Sequence, residues 1–260
     1  MLINNFDPVA IQIFSLEIRW YSLAYITGIL SGWYLSKKIF ILDPKLKDKF
    51  DDYVTYIILA IIIGGRLGYV FFYNFYYYLN NPIDIFKIWQ GGMSFHGGLI
   101  GIILISFWFA KKNYQNPFNY LDIISLVAPI GIFFGRIANF VNSELYGTET
   151  SVPWAVTFLQ IDQVPRHPTQ LYEATFEGII LFLILIYFRK KGFLKSPGLL
   201  SGLFLIFYSI FRFIIEFLRV PDEQLGYLVL NFTLGQIISL VFLAIGFYLF
   251  IIKYENKSNS

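Results

Sequence analysis

The stretch Gly135-Arg-Ile-Ala-Asn-Phe-Val-Asn-Ser-Glu-Leu-Tyr-Gly147 places charged and amide side chains at the end of a long apolar run. An arginine near hydrocarbon costs roughly 2.5 to 3.5 kcal/mol on insertion scales, so it normally faces a protein interior or a wet cavity. On helical spacing Arg136 and Asn139 share a face, and Gly135 lets another backbone come close. The stretch therefore predicts either an arginine that ties helices together or a ligand site.

The composition predicts a membrane protein. Of 260 residues, 57% are hydrophobic and only 14% are charged, which excludes an ordinary soluble domain. The net charge of +3 is small and scattered, so we expect no nucleic-acid binding. The chain has no cysteine, and it therefore has no disulfide, no thiolate metal site and no thiol nucleophile of its own. The N-terminus lacks the pattern of a removable signal peptide.

The apolar runs predict an all-α, polytopic membrane protein with seven transmembrane helices in a single domain over residues 1–260. The third run is short and rich in glycine at its start, so a re-entrant segment is its alternative. Residues 1–17 are predicted to form a short arm at the interface, and residues 253–260 a short solvated tail. The runs lie at about Ile18–Phe40, Tyr53–Tyr73, Met93–Ala110, Leu121–Val141, Leu171–Phe188, Leu199–Leu218 and Leu234–Ile252.

Lysine and arginine are distributed differently along the chain. Most lysines fall on alternate loops, which by the positive-inside rule places the N-terminus outside and the C-terminus in the cytoplasm. Most arginines instead lie within the apolar runs or at their outer ends. A planar guanidinium binds phosphate or carboxylate with two parallel hydrogen bonds, so a phospholipid head group is a natural ligand for these arginines.

The glycine-dense segment Gly91–Leu99 carries His96 at the start of the third apolar run. Glycines such as Gly97 and Gly98 can present backbone N–H groups to an anion, and histidine is the usual proton carrier near neutral pH. A lone histidine is more often a structural hydrogen-bonding residue. Both interpretations of His96 therefore stay open at this point.

Other polar groups lie at or inside the apolar runs. Tyr21 opens the first run and is interpreted chiefly as an interfacial anchor. Arg66 lies beside glycines that favour tight helix packing, which does not explain the arginine. Glu173 and Glu177 are interpreted chiefly as a helix start near water. One face of the sixth run carries Tyr208, Arg212, Glu216 and Arg219, in which Arg212 and Glu216 can pair.

The stretch Gly135-Arg-x-Ala-Asn-Phe-x-Asn-x-Glu-x-x-Gly147 resembles the signature of the bacterial prolipoprotein diacylglyceryl transferase family. Other blocks occur in the same order, and the resemblance runs from about residue 18 to residue 240. These blocks are Arg19-Trp-Tyr21, Gly64-Gly-Arg66, Ser94–Leu99, Arg166–Pro168 and Arg212–Asp222.

The resemblance implies a seven-helix enzyme of the bacterial inner membrane whose site opens to lipid and faces the periplasm. Such an enzyme moves the diacylglyceryl group of phosphatidylglycerol to the lipobox cysteine thiol of a preprolipoprotein. The products are a thioether-linked lipoprotein precursor and glycerol phosphate. No Walker loop, His-Glu-x-x-His or Asp-rich metal pattern occurs, so we expect neither a metal nor a cofactor.

Roles for individual residues follow from this resemblance. Arg136 and Arg212 are expected to clamp the leaving phosphate, and His96 is a candidate base or a lipid ligand. Arg66 and Arg219 are expected to have supporting or gating roles at the site. The remaining assignments are to substrate binding, with Tyr21 and Asn139 orienting the head group, Glu144 and Glu216 holding the arginines, and Gly97, Gly98, Gly147 and Tyr208 lining the site.

Two other classes remain as alternatives. A transporter or flippase could carry an anionic lipid or solute between arginine-lined helices, although the sequence shows no internal symmetry of the kind that many transporters have. A non-catalytic scaffold would bind lipid without transferring it.

Overall fold

The structure is a computed structural model that describes residues 2–14, 16–221, 226–228 and 231–258. It is a mainly helical, polytopic membrane protein of the all-α class, as the sequence predicts. The chain forms two compact units, Met1–Ser36 with Asp122–Ser260, and Lys37–Leu121. The single domain over residues 1–260 stays a prediction.

Six helices within the described part of the chain are long and apolar enough to cross a membrane. The third predicted run forms one of them, so the re-entrant alternative is not supported. The six are α2 (Pro44–Phe72), α4 (Phe95–Lys112), α5 (Pro117–Val141), the continuous helix Thr169–Lys190, α8 (Leu199–Ile215) extended by a 3₁₀ turn to Leu218, and α9 (Leu234–Ser258), whose spanning part ends at Glu255.

The first predicted run forms α1 (Trp20–Leu35), which continues as a π-helix over Ser36–Phe40. Neither piece alone has the length of a spanning helix, because the hydrogen-bonding pattern changes at Ser36. The count of seven spanning helices is therefore not confirmed.

The helix Thr169–Lys190 also changes pattern along its length. It begins as α6 (Thr169–Glu173), widens to a π-helix over Ala174–Ile180, and continues as α7 (Leu181–Lys190). Such π segments interrupt α-helices rarely and often lie at functional sites. A 3₁₀ turn at Phe193–Lys195 follows it.

The N-terminal arm folds into strands, which the interfacial-arm prediction did not include. Strand β1 (Leu2–Asn4) pairs in parallel with β4 (Val156–Phe158), and β4 pairs antiparallel with β5 (Pro165–Arg166). Strands β2 (Val9–Ile13) and β3 (Leu16–Arg19) form a separate antiparallel hairpin. Buried Asn4 donates a hydrogen bond from Nδ2 to the Phe140 carbonyl at 2.5 Å, which joins the arm to the end of α5.

In the second unit, α2 begins at Pro44, well before the predicted start at Tyr53. Asp43 caps this helix by accepting a hydrogen bond from the Lys45 amide at 2.9 Å, and Pro44 occupies the first turn. The lysine-rich start of α2 is amphipathic rather than apolar, so the apolar run alone did not reveal it. The unit also contains α3 (Phe75–Asn80) and 3₁₀ turns at Pro82–Phe86 and Ile88–Gln90.

Helices α2 and α4 pack against each other through glycines. A Cβ atom built at Gly97 would collide with the carbonyl oxygen of Gly64, and one built at Gly68 would lie 2.7 Å from the Gly97 Cα. Nearer the other end of the pair, the Tyr53 hydroxyl lies 2.7 Å from the Ser106 hydroxyl. Small residues thus let the two backbones touch, as they do in many membrane helix pairs.

The solvated tail at residues 253–260 stays a prediction, and among the residues that the structure describes α9 continues into it as helix to Ser258. Phe250 and Tyr254 support the helix near its end, because their rings are stacked with centroids 5.6 Å apart. Residues 259 and 260 lie outside the described part.

Candidate functional site

The end of α5 and the start of α6 bring two parts of the chain together. Thr169 Oγ1 donates a hydrogen bond to the Leu145 carbonyl at 2.9 Å, and Gln170 Nε2 donates to the Glu144 carbonyl at 2.6 Å. Both donors are buried. These contacts hold the first turn of α6 beside the stretch that follows α5, so that charged residues of the two helices meet.

Six charged side chains of the first unit form a connected group, which we name the arginine–glutamate cluster. Arg136 Nη1 lies 3.2 Å from Glu173 Oε2, and Arg136 Nη2 lies 3.3 Å from Glu177 Oε2. Arg212 also pairs with Glu173. The cluster consists of Arg136, Glu173, Glu177, Arg212, Glu216 and Arg219.

Arg212 and Glu173 are the central members of this cluster. Arg212 Nη2 lies 2.6 Å from Glu216 Oε2, and its Nη1 lies 3.9 Å from Glu177 Oε1. Arg219 Nη1 lies 3.6 Å from Glu173 Oε1. Arg212 therefore approaches all three carboxylates, and Glu173 approaches all three arginines, so the six charges balance as one group.

Two carboxylates of the cluster, Glu173 and Glu177, are buried more deeply than its guanidinium groups. The side chains of Glu173 and Glu177 have 0% exposed surface, whereas Arg136 keeps 17% and Arg212 keeps 11%. Charges this deep in an apolar environment are costly unless they are paired. The arrangement leaves the guanidinium groups on the accessible side, where they can bind a phosphate with two hydrogen bonds.

The partners of the arginines differ in part from the sequence prediction. The pair of Arg212 with Glu216 is confirmed. The prediction that Glu144 holds an arginine is wrong, because Glu144 instead accepts hydrogen bonds from Asn139 Nδ2 at 2.8 Å and Asn142 Nδ2 at 3.3 Å. Glu144 thus fixes the side-chain amides of Asn139 and Asn142. Its assignment to substrate binding stays a prediction.

Glu173 and Glu177 were interpreted as a helix start near water, and that interpretation is wrong because both side chains are fully buried. Both glutamates lie on the helix Thr169–Lys190 and pair with Arg136 of α5 and Arg212 of α8. A signal was available in the sequence, since Glu177 lies inside an apolar run and an acidic residue in such a run normally has a partner and a function.

No other described backbone occupies the room that Gly135 leaves for a close approach. A Cβ atom built at Gly135 would have no described heavy atom within 4 Å, apart from its neighbours along the chain. The approach occurs one turn earlier, where a Cβ atom at Gly28 of α1 would lie 3.0 Å from the Gly131 Cα. The helical spacing of the sequence located the part of α5 that carries glycines, but it did not show that Gly131 is the glycine in contact.

The loop after α5 holds two non-glycine residues in left-handed backbone conformations. Ser143 and Leu145 both have φ of 56°, which costs of order 1 to 3 kcal/mol each. Strain of this kind persists where surrounding contacts fix the backbone, and it is concentrated at functional sites. Here the contacts of Thr169 and Glu144 hold the loop on both sides of the strained residues.

Gly147 ends this loop between two other backbone segments. Its amide donates a hydrogen bond to the His167 carbonyl at 3.0 Å, and it forms a bridge with Arg219. A Cβ atom at this position would lie 2.6 Å from the His167 Cβ and 2.8 Å from the Leu218 carbonyl oxygen. Close packing thus explains the glycine, and its role in substrate binding stays a prediction.

Two tyrosines lie near the cluster in the same unit. The ring of Tyr21 contacts that of Tyr25, with centroids 5.1 Å apart, and the hydroxyl interacts electrostatically with Glu144 and Arg136. The ring of Tyr208 stacks on that of Phe204 at 5.6 Å, and its hydroxyl interacts electrostatically with members of the cluster. The structure thus brings Tyr21, Tyr208, Asn139 and Glu144 to the cluster that contains Arg136, Arg212, Glu216 and Arg219.

The other predicted site residues lie in the second unit. Half-buried His96 is near the start of α4, and its ring makes an edge contact with Phe95, with centroids 5.6 Å apart. It has no hydrogen bond with another described residue of that unit. Gly97 packs against α2, and a Cβ atom at Gly98 would lie 3.7 Å from the Ile61 carbonyl oxygen. The roles of these three residues toward a substrate stay predictions.

Arg66, buried in α2, donates hydrogen bonds to five backbone carbonyls. Its Nε donates to Ile85 at 2.8 Å, and each terminal nitrogen donates to two further carbonyls of the loop 84–92. A guanidinium has five N–H donors, so all of them are used. This geometry favours a structural role in which Arg66 holds the loop before α4, and the predicted role in substrate binding stays a prediction.

Outside the helices, Arg166 is paired with Asp162 by a hydrogen bond of 2.5 Å from Nη2. The guanidinium lowers the pKa of Asp162, so this carboxylate is charged at neutral pH. Arg166 Nη1 also donates to the Gly147 carbonyl at 3.3 Å, which connects the pair to the loop after α5. Among the described residues no group of carboxylates and histidines could hold a metal ion, and Asp222 of the last quoted block lies outside the described part.

Known proteins are similar to this chain over nearly its whole length. A model of the family Prolipoprotein diacylglyceryl transferase matches residues 8–252. The chain is 49% identical over 261 residues to a protein of Rickettsia bellii (strain OSU 85-389) named phosphatidylglycerol–prolipoprotein diacylglyceryl transferase, with 99% of each chain covered. It is 46% identical over 255 residues to the protein of that name from Pseudomonas fluorescens (strain Pf0-1), with 96% of this chain and 93% of the relative covered. The chain therefore belongs to the prolipoprotein diacylglyceryl transferase family.

Proposed function

We propose that this protein transfers the diacylglyceryl group of phosphatidylglycerol to the lipobox cysteine thiol of a preprolipoprotein, the first step of bacterial lipoprotein maturation. The observation that carries the proposal is the arginine–glutamate cluster, whose guanidinium groups lie on the accessible side of buried carboxylates. Family membership supplies the substrates, and the cluster supplies partly accessible guanidinium groups that can bind a phosphodiester.

In this reaction the cysteine sulfur attacks the glyceryl carbon that carries the phosphate. The carbon–sulfur bond forms as the carbon–oxygen bond breaks, and the phosphate departs as glycerol phosphate with one more negative charge than the diester had. Guanidinium groups aimed at that oxygen stabilise the transition state more than the ground state. We assign this role to Arg136 and Arg212, and the partial exposure of both side chains supports the assignment.

The thiol proton must also be removed. A free cysteine thiol has a pKa of about 8.5, so little thiolate is present at neutral pH without help. His96 is the proposed base, and a lipid-binding role for it is the alternative. If His96→Gln keeps near-normal turnover whereas Arg136→Ala abolishes it, the assignment of His96 as the base is withdrawn. The assignment of Arg136 to the phosphate clamp then stays.

The same proposal includes the membrane arrangement. Seven spans are obtained if α1 and its π-helical extension together cross the bilayer, and the distribution of lysines then places the N-terminus in the periplasm and the C-terminus in the cytoplasm. The membrane is the bacterial inner membrane, where preprolipoproteins and phosphatidylglycerol meet.

The experiment combines purified protein, phosphatidylglycerol and a lipobox peptide, and follows glycerol phosphate release together with the mass of the peptide. We expect a diacylglyceryl mass with the cysteine peptide and the unmodified protein, and none with a Cys→Ser peptide or with Arg136→Ala. Lipid binding without either product would instead support a transporter or a scaffold and would overturn the proposal.

A further inference from the structure

The second unit contains two adjoining cavities that no step of the proposed reaction uses. The first, of about 340 Å³, lies at the lysine-rich end of α2 and α4. We name it the head-group pocket, and it is lined by Lys49, Asp52, Thr55, Tyr56, Phe109, Lys112 and Asn113. The second, of about 560 Å³, runs along the α2–α4 pair and shares Tyr56 with the first.

The second cavity, which we name the acyl groove, is apolar. Its walls are exposed aliphatic and aromatic side chains such as Ile63, Leu104 and Trp108, and its floor includes Gly64 and Gly101. From Tyr56 to Phe72 the groove follows α2 for about 24 Å at 1.5 Å per residue. One leaflet of a bilayer has a hydrocarbon thickness of about 15 Å, so an acyl chain fits within the groove.

The charge of the head-group pocket indicates what kind of lipid would occupy it. Lys49 and Lys112 contribute two positive charges and Asp52 one negative charge, so the pocket carries one net positive charge. Neither lysine forms an ion pair with another described residue of this unit. The Lys112 ammonium instead lies 5.0 Å from the centroid of the Trp108 ring and 5.8 Å from that of Tyr56, at the junction of the two cavities.

We infer that the pair of cavities is a lipid site, in which an anionic phosphodiester head group binds between Lys49 and Lys112 and one acyl chain lies in the acyl groove. Basic pockets between membrane helices bind anionic head groups in this way. Tyr56 connects the two parts, as the glycerol region connects a head group to its chains. This lipid is a bound component rather than the substrate, because its head group lies at the lysine-rich end of α2 and α4. Gly97, the one predicted substrate-binding residue that lines the acyl groove, is at the opposite end of α4.

The test uses the full-length protein in detergent with two photoactivatable lipids that carry the same diazirine acyl chain, one with a phosphatidylglycerol and one with a phosphatidylcholine head group. Crosslinked peptides are mapped by mass spectrometry. We expect phosphatidylglycerol to label α2 and α4 residues of the acyl groove at lower concentration than phosphatidylcholine does. The readout needs no turnover, so it is independent of the proposed transfer reaction.

A matched pair of variants tests the head-group pocket. Lys49→Gln with Lys112→Gln should raise the phosphatidylglycerol concentration for half-maximal labelling by about 30-fold, because each lysine near a membrane surface contributes about a fivefold change in anionic lipid binding. Lys45→Gln with Lys111→Gln removes the same charge from residues that do not line the pocket, and should change labelling by less than about threefold.

Three results would overturn the inference. Equal labelling by the two lipids, or equal loss in the two double variants, would show that the pocket does not select an anionic head group. Displacement of the label by excess glycerol 3-phosphate would assign the pocket to a soluble phosphate.

Discussion

At the scale of single residues, sequence spacing predicts contacts within one helix but not contacts between helices. Arg212 and Glu216 are one turn apart, so their pairing follows from helical geometry. Arg136 pairs with Glu173 and Glu177 across a loop of the fold, and no local rule relates those positions. The candidate site was therefore predicted through its arginines and Glu216, whereas Glu173 and Glu177 were missed.

Glu177 should act as a positioning residue for Arg136. In Glu177→Gln the side chain keeps its shape but loses its charge, so Arg136 loses its counter-charge at 3.3 Å and the cluster becomes positive. We expect kcat to fall about 10- to 100-fold with KM changed by less than about threefold, since misplaced groups mainly weaken transition-state contacts. Steady-state kinetics with Glu149→Gln, an exposed carboxylate of the same unit, serve as the control. Unchanged kcat would contradict this role.

Two glycines of the quoted stretch should respond oppositely to alanine. Gly147→Ala would push a Cβ atom to 2.6 Å from the His167 Cβ, and we expect a loss of about 1 to 3 kcal/mol in the free energy of unfolding. Gly135 has open space around it within α5, and Gly135→Ala should be neutral or stabilising by up to about 1 kcal/mol. Thermal unfolding of the purified variants in one detergent compares them, and equal melting temperatures would refute the packing account of Gly147.

At the scale of elements, the position of α8 depends on a buried carboxylate in α5. Asp122 Oδ2 accepts a hydrogen bond from the Gly198 amide at 2.8 Å, and Oδ1 accepts from the amide and hydroxyl of Ser201 at 2.8 Å and 2.6 Å. These contacts cap the start of α8, the helix that carries Arg212 at its other end. The cap thus sets the position of an arginine of the site.

Asp122→Ala should destabilise the protein by about 1 to 3 kcal/mol, because buried amides at the start of α8 would lose their acceptor. Asp43→Ala removes the exposed cap of α2, which accepts one amide hydrogen bond at 2.9 Å, and should cost about 1 kcal/mol or less. Inactivation half-lives at a fixed temperature provide the measurement. A larger effect for Asp43 than for Asp122 would contradict this ranking.

Helix boundaries show the same limit of sequence reasoning. Apolar runs located the spanning parts of the helices because the bilayer demands apolar surface there. They did not locate the amphipathic start of α2 at Pro44 or the end of α9 at Ser258, since those turns are stabilised by caps and packing. Strand β1 of the N-terminal arm pairs with residues about 150 positions away, and no pattern within the arm specifies that partner.

At the scale of the whole molecule, the absence of cysteine allows the proposed orientation to be tested without background labelling. A membrane-impermeant maleimide should label Glu149→Cys in intact spheroplasts, because the proposal places residue 149 in the periplasm. Lys111→Cys should react only after the membrane is permeabilised. The reverse pattern would invert the orientation, and transfer assays of both variants confirm that they are folded.

The balance of charges in the arginine–glutamate cluster has a consequence for turnover. Three guanidinium and three carboxylate groups have no net charge together. Their electric field is therefore strong within a few ångströms of the groups and weak at longer distances. We therefore expect the empty site to exert little long-range pull on anions and to recognise a phosphate by its fit against Arg136 and Arg212. The doubly charged product then meets carboxylates directly behind the guanidinium groups that hold it, which favours its departure and readies the enzyme for the next lipid.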